Sequence, residues 1–336
     1  MTSDDLTGAS WLRAAIATLP DGDTAAAGAV AARAADILRP AGALARLDDV
    51  AVWAARWQRT DRPAVRRPAA LIFAADHGVA AGGVSQYPAD VTAAMLAAYR
   101  AGRSTISAFA AVAGATVDAI DVGVGRPTGD IRVEPALSPE RFDAAVDAGR
   151  AAVEGLDADL LVLGEMGIGN TTIAAAISAA LEGGDPADWV GRGTGVDDDG
   201  LARKCAAVES AVARIDGTHD PLEVLREVGG AELAAMCAAI VAARHRRLPV
   251  LLDGYVVTAA ALALHHLRAD ALDHCRVGHC SAEPGHRRLV ARLGGSPLLD
   301  LGMRLGEGSG AMAAVPLVAM ACAGVVDVPT FGEWFG

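Results

Sequence analysis

Aromatic side chains are scarce in this chain of 336 residues, making up 4% of it against 52% for hydrophobic residues as a whole. The apolar content is therefore mostly alanine, valine and leucine, which suits helices packed closely on a sheet. Lysine is rarer still: of 29 basic side chains, all but Lys204 are arginine. The basic residues form no long run and the formal net charge is −12, which argues against a nucleic-acid surface, because phosphate backbones need a basic footprint. The densest basic stretch, Arg62 to Arg67, with Pro63 and Pro68, reads as a solvated connection ahead of a strand. Five cysteines do not make a disulfide framework in a chain this long, and a reduced, cytoplasmic setting fits them. Residues 1–5 are acidic and hold no apolar run, so no secretory signal is read there. The longest apolar stretch, Ala311 to Val326, contains Pro316, is short for a bilayer span, and reads as a buried core helix.

Short apolar runs alternate with helical patterns. Ala69 to Ala75, Thr116 to Val122, Asp159 to Leu163 and Pro249 to Leu252 read as strands, with weaker candidates at Arg276 to Cys280 and Leu298 to Met303. Alanine-rich segments lie between them, at Val91 to Ala113, Thr171 to Leu181, Leu201 to Ile215 and Ala231 to Arg244. This alternation predicts an α/β fold: a Rossmann-like, mostly parallel sheet covered by helices on both faces. The first 60 residues show helical periodicity only, and so does the last stretch. The expected organisation is N-terminal helices over 1–60, a catalytic α/β unit over 61–309, and a C-terminal helical segment over 310–336 that joins the first in a small helical subdomain.

Two glutamates each sit in a glycine-rich turn after an apolar run: Glu165 in Gly164 to Thr172, and Glu307 in Arg304 to Gly310. Glycine lets backbone approach a ligand closely, and a carboxylate there supplies a base or a hydroxyl acceptor. The other strand candidates end in Asp76 with His77, Asp121, Asp253, and Ser281 with Glu283. Ligands of open parallel sheets bind outside the carboxyl ends of strands, so these residues converge on one edge. Gly167, Asn170 and Thr171 read as a phosphate-cradling turn into a helix, with Asn170 or Thr171 able to cap it. Asp76 and His77 fit an acid–base pair or a strand-end turn. Lys204 follows the glycine-rich loop Gly191 to Gly200, and a compact ammonium there suits a phosphate or a plain helix surface alike. His274, Cys275, His279, Cys280 and His286 cluster in sequence, but their spacing is not a standard zinc pattern, and no metal is expected.

Ala75 to Val79, Gly164 to Thr172, Val228 to Gly230, Leu248 to Gly254, Ser281 to Gly285 and Met303 to Ala311 together resemble the nicotinate-nucleotide–dimethylbenzimidazole phosphoribosyltransferases of cobalamin lower-ligand assembly. The resemblance runs in one order from about residue 35 to residue 335. It implies transfer of phosphoribosyl from nicotinate mononucleotide to dimethylbenzimidazole or a similar base, giving alpha-ribazole phosphate and nicotinate, without a cofactor. By the same resemblance Glu307 is the catalytic base, Glu165 lies near the ribose, and Lys204 and Ser281 lie near the phosphate. Leu305, Gly306 and Asp253 belong to the matching substrate-binding motifs. The family is usually a homodimer. The flat acceptor needs an apolar pocket, for which Tyr87 and Met95 are candidate walls. Departures near these two residues, and at Arg39 to Leu44, put the choice of base in doubt; purines, phenols or other benzimidazoles are alternatives.

Three rival readings compete with this one. Asp197 to Asp199 suggest a magnesium-dependent enzyme using the pyrophosphate donor, but they follow a glycine-rich loop rather than a buried strand. Gly191, Gly193 and Gly195 suggest a dinucleotide fingerprint, but no convincing strand precedes them. A non-catalytic nucleotide-binding regulator is the third, and the joint presence of Glu307 and Lys204 argues against it.

Overall fold

A computed structural model describes residues 6–336; the acidic opening at residues 1–5, on which the reading of no signal rested, lies outside the described residues. The sheet has strands β1 (Pro68–Ala75), β2 (Thr116–Gly123), β3 (Leu160–Met166), β4 (Val250–Leu252) and β5 (Cys275–Val277). They run parallel in the order β2-β1-β3-β4-β5. The chain winds from β1 out to β2, returns across β1 to β3, and continues the other way. The direction of winding therefore reverses between β1 and β3, the point where open α/β sheets leave a crevice.

Side chains alternate across the sheet with period two. Leu71, Phe73 and Ala75 of β1, with Leu161 and Leu163 of β3, enter one core. Ala70, Ile72 and Ala74, with Leu160 and Val162, enter the other. Every β1 residue is buried, as expected for a central parallel strand covered on both sides.

Helices α1 (Gly8–Ala17), α2 (Thr24–Asp36), α3 (Arg46–Gln58), α4 (Val91–Arg100) and α5 (Thr105–Ala113) precede β2 in whole or in part of the covering layers. Next come α6 (Pro139–Glu154), α7 (Asn170–Glu182), α8 (Asp198–Arg214), α9 (Pro221–Val228) and α10 (Ala231–His245). The remainder are α11 (Tyr255–Leu267), α12 (Pro284–Arg292), α13 (Ser309–Val326) and α14 (Phe331–Phe335). The terminal helices divide between the layers. α2, α3 and α13 share one core with α4 and α5, whereas Trp11, Leu12 and Ile16 of α1 join the opposite core with α6 and α10.

Two segments differ from their sequence reading. Val91 to Ala113 is not one helix: Gly102 takes φ of 67° and Ser104 caps a fresh helix by accepting the Ser107 N–H. Leu298 to Met303 is not a strand. Pro297 has no N–H and Gly302 turns the chain with φ of 68°, so only Leu299 forms a bridge, to His279. Among the described residues, one helix, α13, is long and apolar enough to cross a membrane, and Met312, Val315, Val318 and Cys322 of it are buried in the core instead.

Candidate active site

β3 ends in Gly164-Glu165-Met166, and α7 starts at Asn170, with Gly169 at the N-cap (φ of 94°) and no side-chain cap. Neither Asn170 nor Thr171 caps the helix, because both are drawn elsewhere. The Asn170 amide donates to the Glu165 carboxylate. The Thr171 hydroxyl accepts from Lys204 Nζ at 2.9 Å. Lys204 reaches this point from α8 and is buried. Burial lowers its pKa to about 8, partly offset by the nearby charge of Glu283.

Glu283, at the carboxyl end of β5, accepts the Gly193 N–H at 2.9 Å and so pins the Gly191 to Gly195 loop over Lys204. Ser281 is held by His286, whose Nδ1 accepts the Ser281 N–H at 2.9 Å. That bond places the ring proton on Nε2, which donates to Thr258 Oγ1 at 3.0 Å. Burial, with the charges of His279 and Arg287, takes the His286 pKa down to about 3, so the ring is neutral.

Asp253, at the end of β4, caps the start of α13 by accepting the Ala311 N–H at 2.8 Å and the Gly308 N–H at 3.2 Å. This fixes the turn that carries Glu307. Glu307 has φ of 67°, a left-handed conformation that costs a non-glycine residue about 1–2 kcal/mol. It is 5% exposed, turned inward beside the Tyr99 hydroxyl and the Ile106 backbone, and its Oε2 has no partner among the described residues. Burial raises its pKa, the neighbouring Tyr99 hydroxyl and Ile106 backbone oppose the rise, and the Asp253 charge adds to it. Glu165 is raised further, to about 8, first by burial and then by the charges of Glu232, Asp253 and Glu307 against the Asn170 bond.

Two adjoining cavities occupy this edge. The first, about 100 Å³, is lined by Glu165, Gly167, Asn170, Thr171, Lys204 and Ser281, together with Glu283, Gly193 and Arg304. The second, about 490 Å³, is bordered by Tyr87, Phe109 and Met303. Leu305, Gly306, His279 and Thr194 border both. Arg304 donates to the Gly193 carbonyl at 3.2 Å, and Gln86 donates to that of Gly195, closing the loop over the cleft.

Six named residues lie off these walls. Glu307 follows the wall residue Gly306 and is itself buried, and Asp253 holds the Gly308 and Ala311 N–H groups beyond it. Met95 packs against the core formed with α3 and α13. Asp76 accepts the Gly125 N–H at 2.7 Å. His77 meets the Glu232 carboxylate at 2.7 Å, with both side chains buried. Asp121, on the edge strand, accepts its own turn's Gly123 and Val124 N–H groups. Of the histidines near 274–286, His274 packs edge-on to Trp57, and His279 packs edge-on to His286 and faces Asp253 at 3.4 Å. Glu283 and Arg304 are wall residues that the sequence reading placed in motifs without a role. Only their distant contacts reveal one.

Fold and cleft define a Rossmann-like α/β protein whose switch-point crevice gathers a buried ammonium, hydroxyls and bared backbone, the groups that hold a phosphorylated ligand. A family model described as Phosphoribosyltransferase matches residues 19–334. A nicotinate-nucleotide–dimethylbenzimidazole phosphoribosyltransferase from a Ruegeria species is 50% identical over 98% of this chain and 97% of its own length. One of the same name from Mesorhizobium japonicum is 51% identical over 96% of each. A crystal structure of CobT from Thermus thermophilus superposes with a TM-score of 0.88 at 41% identity, over 93% of this chain and 98% of that one. The chain belongs to the nicotinate-nucleotide–dimethylbenzimidazole phosphoribosyltransferase family.

Proposed function

We propose that this enzyme transfers phosphoribosyl from nicotinate mononucleotide to dimethylbenzimidazole, in assembly of the cobalamin lower ligand, with Glu307 as general base. One observation carries the reading: a glutamate occupies a left-handed turn that suits glycine, with a carboxylate oxygen left unpartnered behind the wall between the two cavities. Strain and an orphaned oxygen at one residue are retained where that residue acts on a ligand.

The leaving nicotinate is a pyridinium and departs without prior protonation, so no general acid is required. The incoming benzimidazole becomes cationic as its nitrogen bonds to the anomeric carbon, and its other N–H must then lose a proton. Glu307 accepts it, an effect worth roughly 10²–10⁴-fold. Burial raises the Glu307 pKa, which makes its carboxylate a stronger base. Attack opposite the departing ring inverts the linkage from beta to alpha. Lys204, Thr171 and Ser281 hold the donor phosphate, Glu165 with Asn170 meets the ribose, and Tyr87, Phe109 and Leu305 wall the acceptor.

A drug-sized ligand needs a pocket of about 300 Å³ or more, larger than the first cavity, so the Arg304–Gly193 tie opens to admit the donor. Likewise Gly306 shifts to bring the Glu307 carboxylate to the acceptor. The free thiols of all five cysteines support a reducing, cytoplasmic setting. Exposed Phe331, Trp334 and Phe335 on α14 support a homodimer, which light scattering on the purified chain tests. We also read α2, α3 and α13 as the small helical unit beside the 61–309 catalytic unit.

The test is nicotinate release from nicotinate mononucleotide and dimethylbenzimidazole, with chelator present. Chelator-insensitive turnover that falls at least a hundredfold in Glu307→Gln, with donor binding kept, is the expected result. Turnover near wild type in that variant removes Glu307 from the mechanism.

A further inference from the structure

Six arginines, Arg59, Arg62, Arg66, Arg67, Arg246 and Arg247, line one concavity of about 390 Å³ at the far end of the sheet. Arg67, Asp159 and Pro249 on its wall immediately precede β1, β3 and β4, so it lies at the amino ends of the strands, opposite the cleft described above. This is a concentration of one sign in a chain whose net charge is −12.

The guanidiniums are not consumed locally. Asp159 is the sole carboxylate on the wall, and its oxygens accept backbone N–H groups, from Arg66 at 2.8 Å and Arg67 at 3.0 Å. Arg67 alone of the six has a carboxylate partner among the described residues, the exposed Asp157 at 3.1 Å. Arg246 donates to the Val153 carbonyl. The Nε of Arg247 is buried without any partner.

The plain explanation is that arginines complement helix ends, since Arg59 is the C-cap of α3 and Arg246 that of α10. Each helix end carries about half a unit of negative charge, so two ends balance about one arginine. With Asp157 and Asp159 counted as well, about three of the six positive charges stay unmatched.

We propose that this concavity is a second anion site, taking a compact inorganic oligophosphate. Guanidinium forks match phosphate oxygens in pairs, and several converging on one pocket favour a multiply charged ligand over orthophosphate. The one aromatic on the wall, Trp57, is fully buried and offers no face for a nucleobase. The rest of the wall is small, polar or aliphatic.

Isothermal titration of the full-length enzyme with inorganic triphosphate at low salt tests this. One site is expected, at least tenfold tighter than for orthophosphate, and undisturbed by saturating nicotinate mononucleotide. The exposed pair Arg62→Ser with Arg66→Ser should weaken it at least tenfold and leave turnover unchanged, while Lys204→Ala should leave triphosphate binding intact. Absence of binding at millimolar triphosphate overturns the proposal. So does displacement by nicotinate mononucleotide, or loss in Lys204→Ala, either of which places the ligand in the substrate cleft. Unchanged affinity in the double variant overturns it as well.

Discussion

Glu307 lays its peptide against the α-carbon of Gly164, so closely that a Cβ on Gly164 would come within 2.3 Å of the Glu307 carbonyl oxygen and 2.6 Å of the Gly308 nitrogen. The contact is reciprocal, since a Cβ on Gly306 would meet Glu165 Oε1 at 2.8 Å. The two glutamate turns, far apart in sequence, interlock through missing side chains. Gly164→Ala should therefore push the Glu307 turn off β3. Overpacking of this kind costs about 1–3 kcal/mol. Thermal denaturation should show the loss, and turnover should fall more than stability alone explains. A variant as stable and active as wild type would mean that the turns do not bear on each other.

Lys204 gives a pH dependence of substrate capture. Its pKa is lowered to about 8 by burial, so the ammonium prevails below that value and the neutral amine above it. Only the ammonium attracts a phosphate dianion. KM for nicotinate mononucleotide should rise as pH goes from 7 to 9, while kcat changes less. Lys204→Ala should raise KM at pH 7 and abolish the dependence. Arginine should not rescue it, because the Thr171 hydroxyl and the Gly193 loop crowd the amine. A KM flat from pH 7 to 9 in the wild type would remove Lys204 from the phosphate.

Glu165 links stability to pH in a definite direction. Its folded pKa, about 8, lies above its ordinary 4.5. The folded chain therefore keeps a proton that the unfolded chain has released. That stabilisation is fully present below pH 4.5 and is lost as pH rises through about 8. Glu165→Gln keeps the Asn170 contact and never ionises. Its Tm relative to wild type should improve between pH 5.5 and 8.5, with an upper bound of about 5 kcal/mol from the whole shift. A Tm difference independent of pH would show that Glu165 is ionised throughout.

The parts of this fold that could be read from sequence are those fixed by local pattern. β1 and β3 announce themselves by the apolar runs Ala69 to Ala75 and Leu160 to Leu163, while the edge strand β2 is broken by Asp118 and Asp121. Of the strand-end acids, Glu165 and Glu283 line the cleft, while Asp76, Asp121 and Asp253 hold backbone N–H groups of nearby turns. What stayed hidden depends on contacts across the chain. Asp253 was legible as a site acid, but its work is to cap a helix 55 and 58 residues away. His77 was read beside Asp76, yet its partner Glu232 is 155 residues distant. α11 is buried over nearly all of its surface and shows no amphipathic face to detect. Arg304 counts only because the loop at Gly193 folds over it.

Glu307 offers the sharpest separation of structure from chemistry. At ordinary positions alanine is more stable than glycine, because glycine has more freedom to lose on folding, by about 0.5–1 kcal/mol. At φ of 67° the order reverses, since any Cβ there is strained by about 1–2 kcal/mol. Glu307→Gly and Glu307→Ala both delete the carboxylate and the orphaned Oε2, so the contribution of that buried group cancels between them. Glu307→Gly should denature at the higher temperature, by the equivalent of about 0.5–1 kcal/mol, and both variants should lose turnover alike. Together these outcomes would mean that the chain holds a strained residue in place for what its carboxylate does. Alanine more stable than glycine would remove the strain, and with it the observation on which the assignment of the base depends.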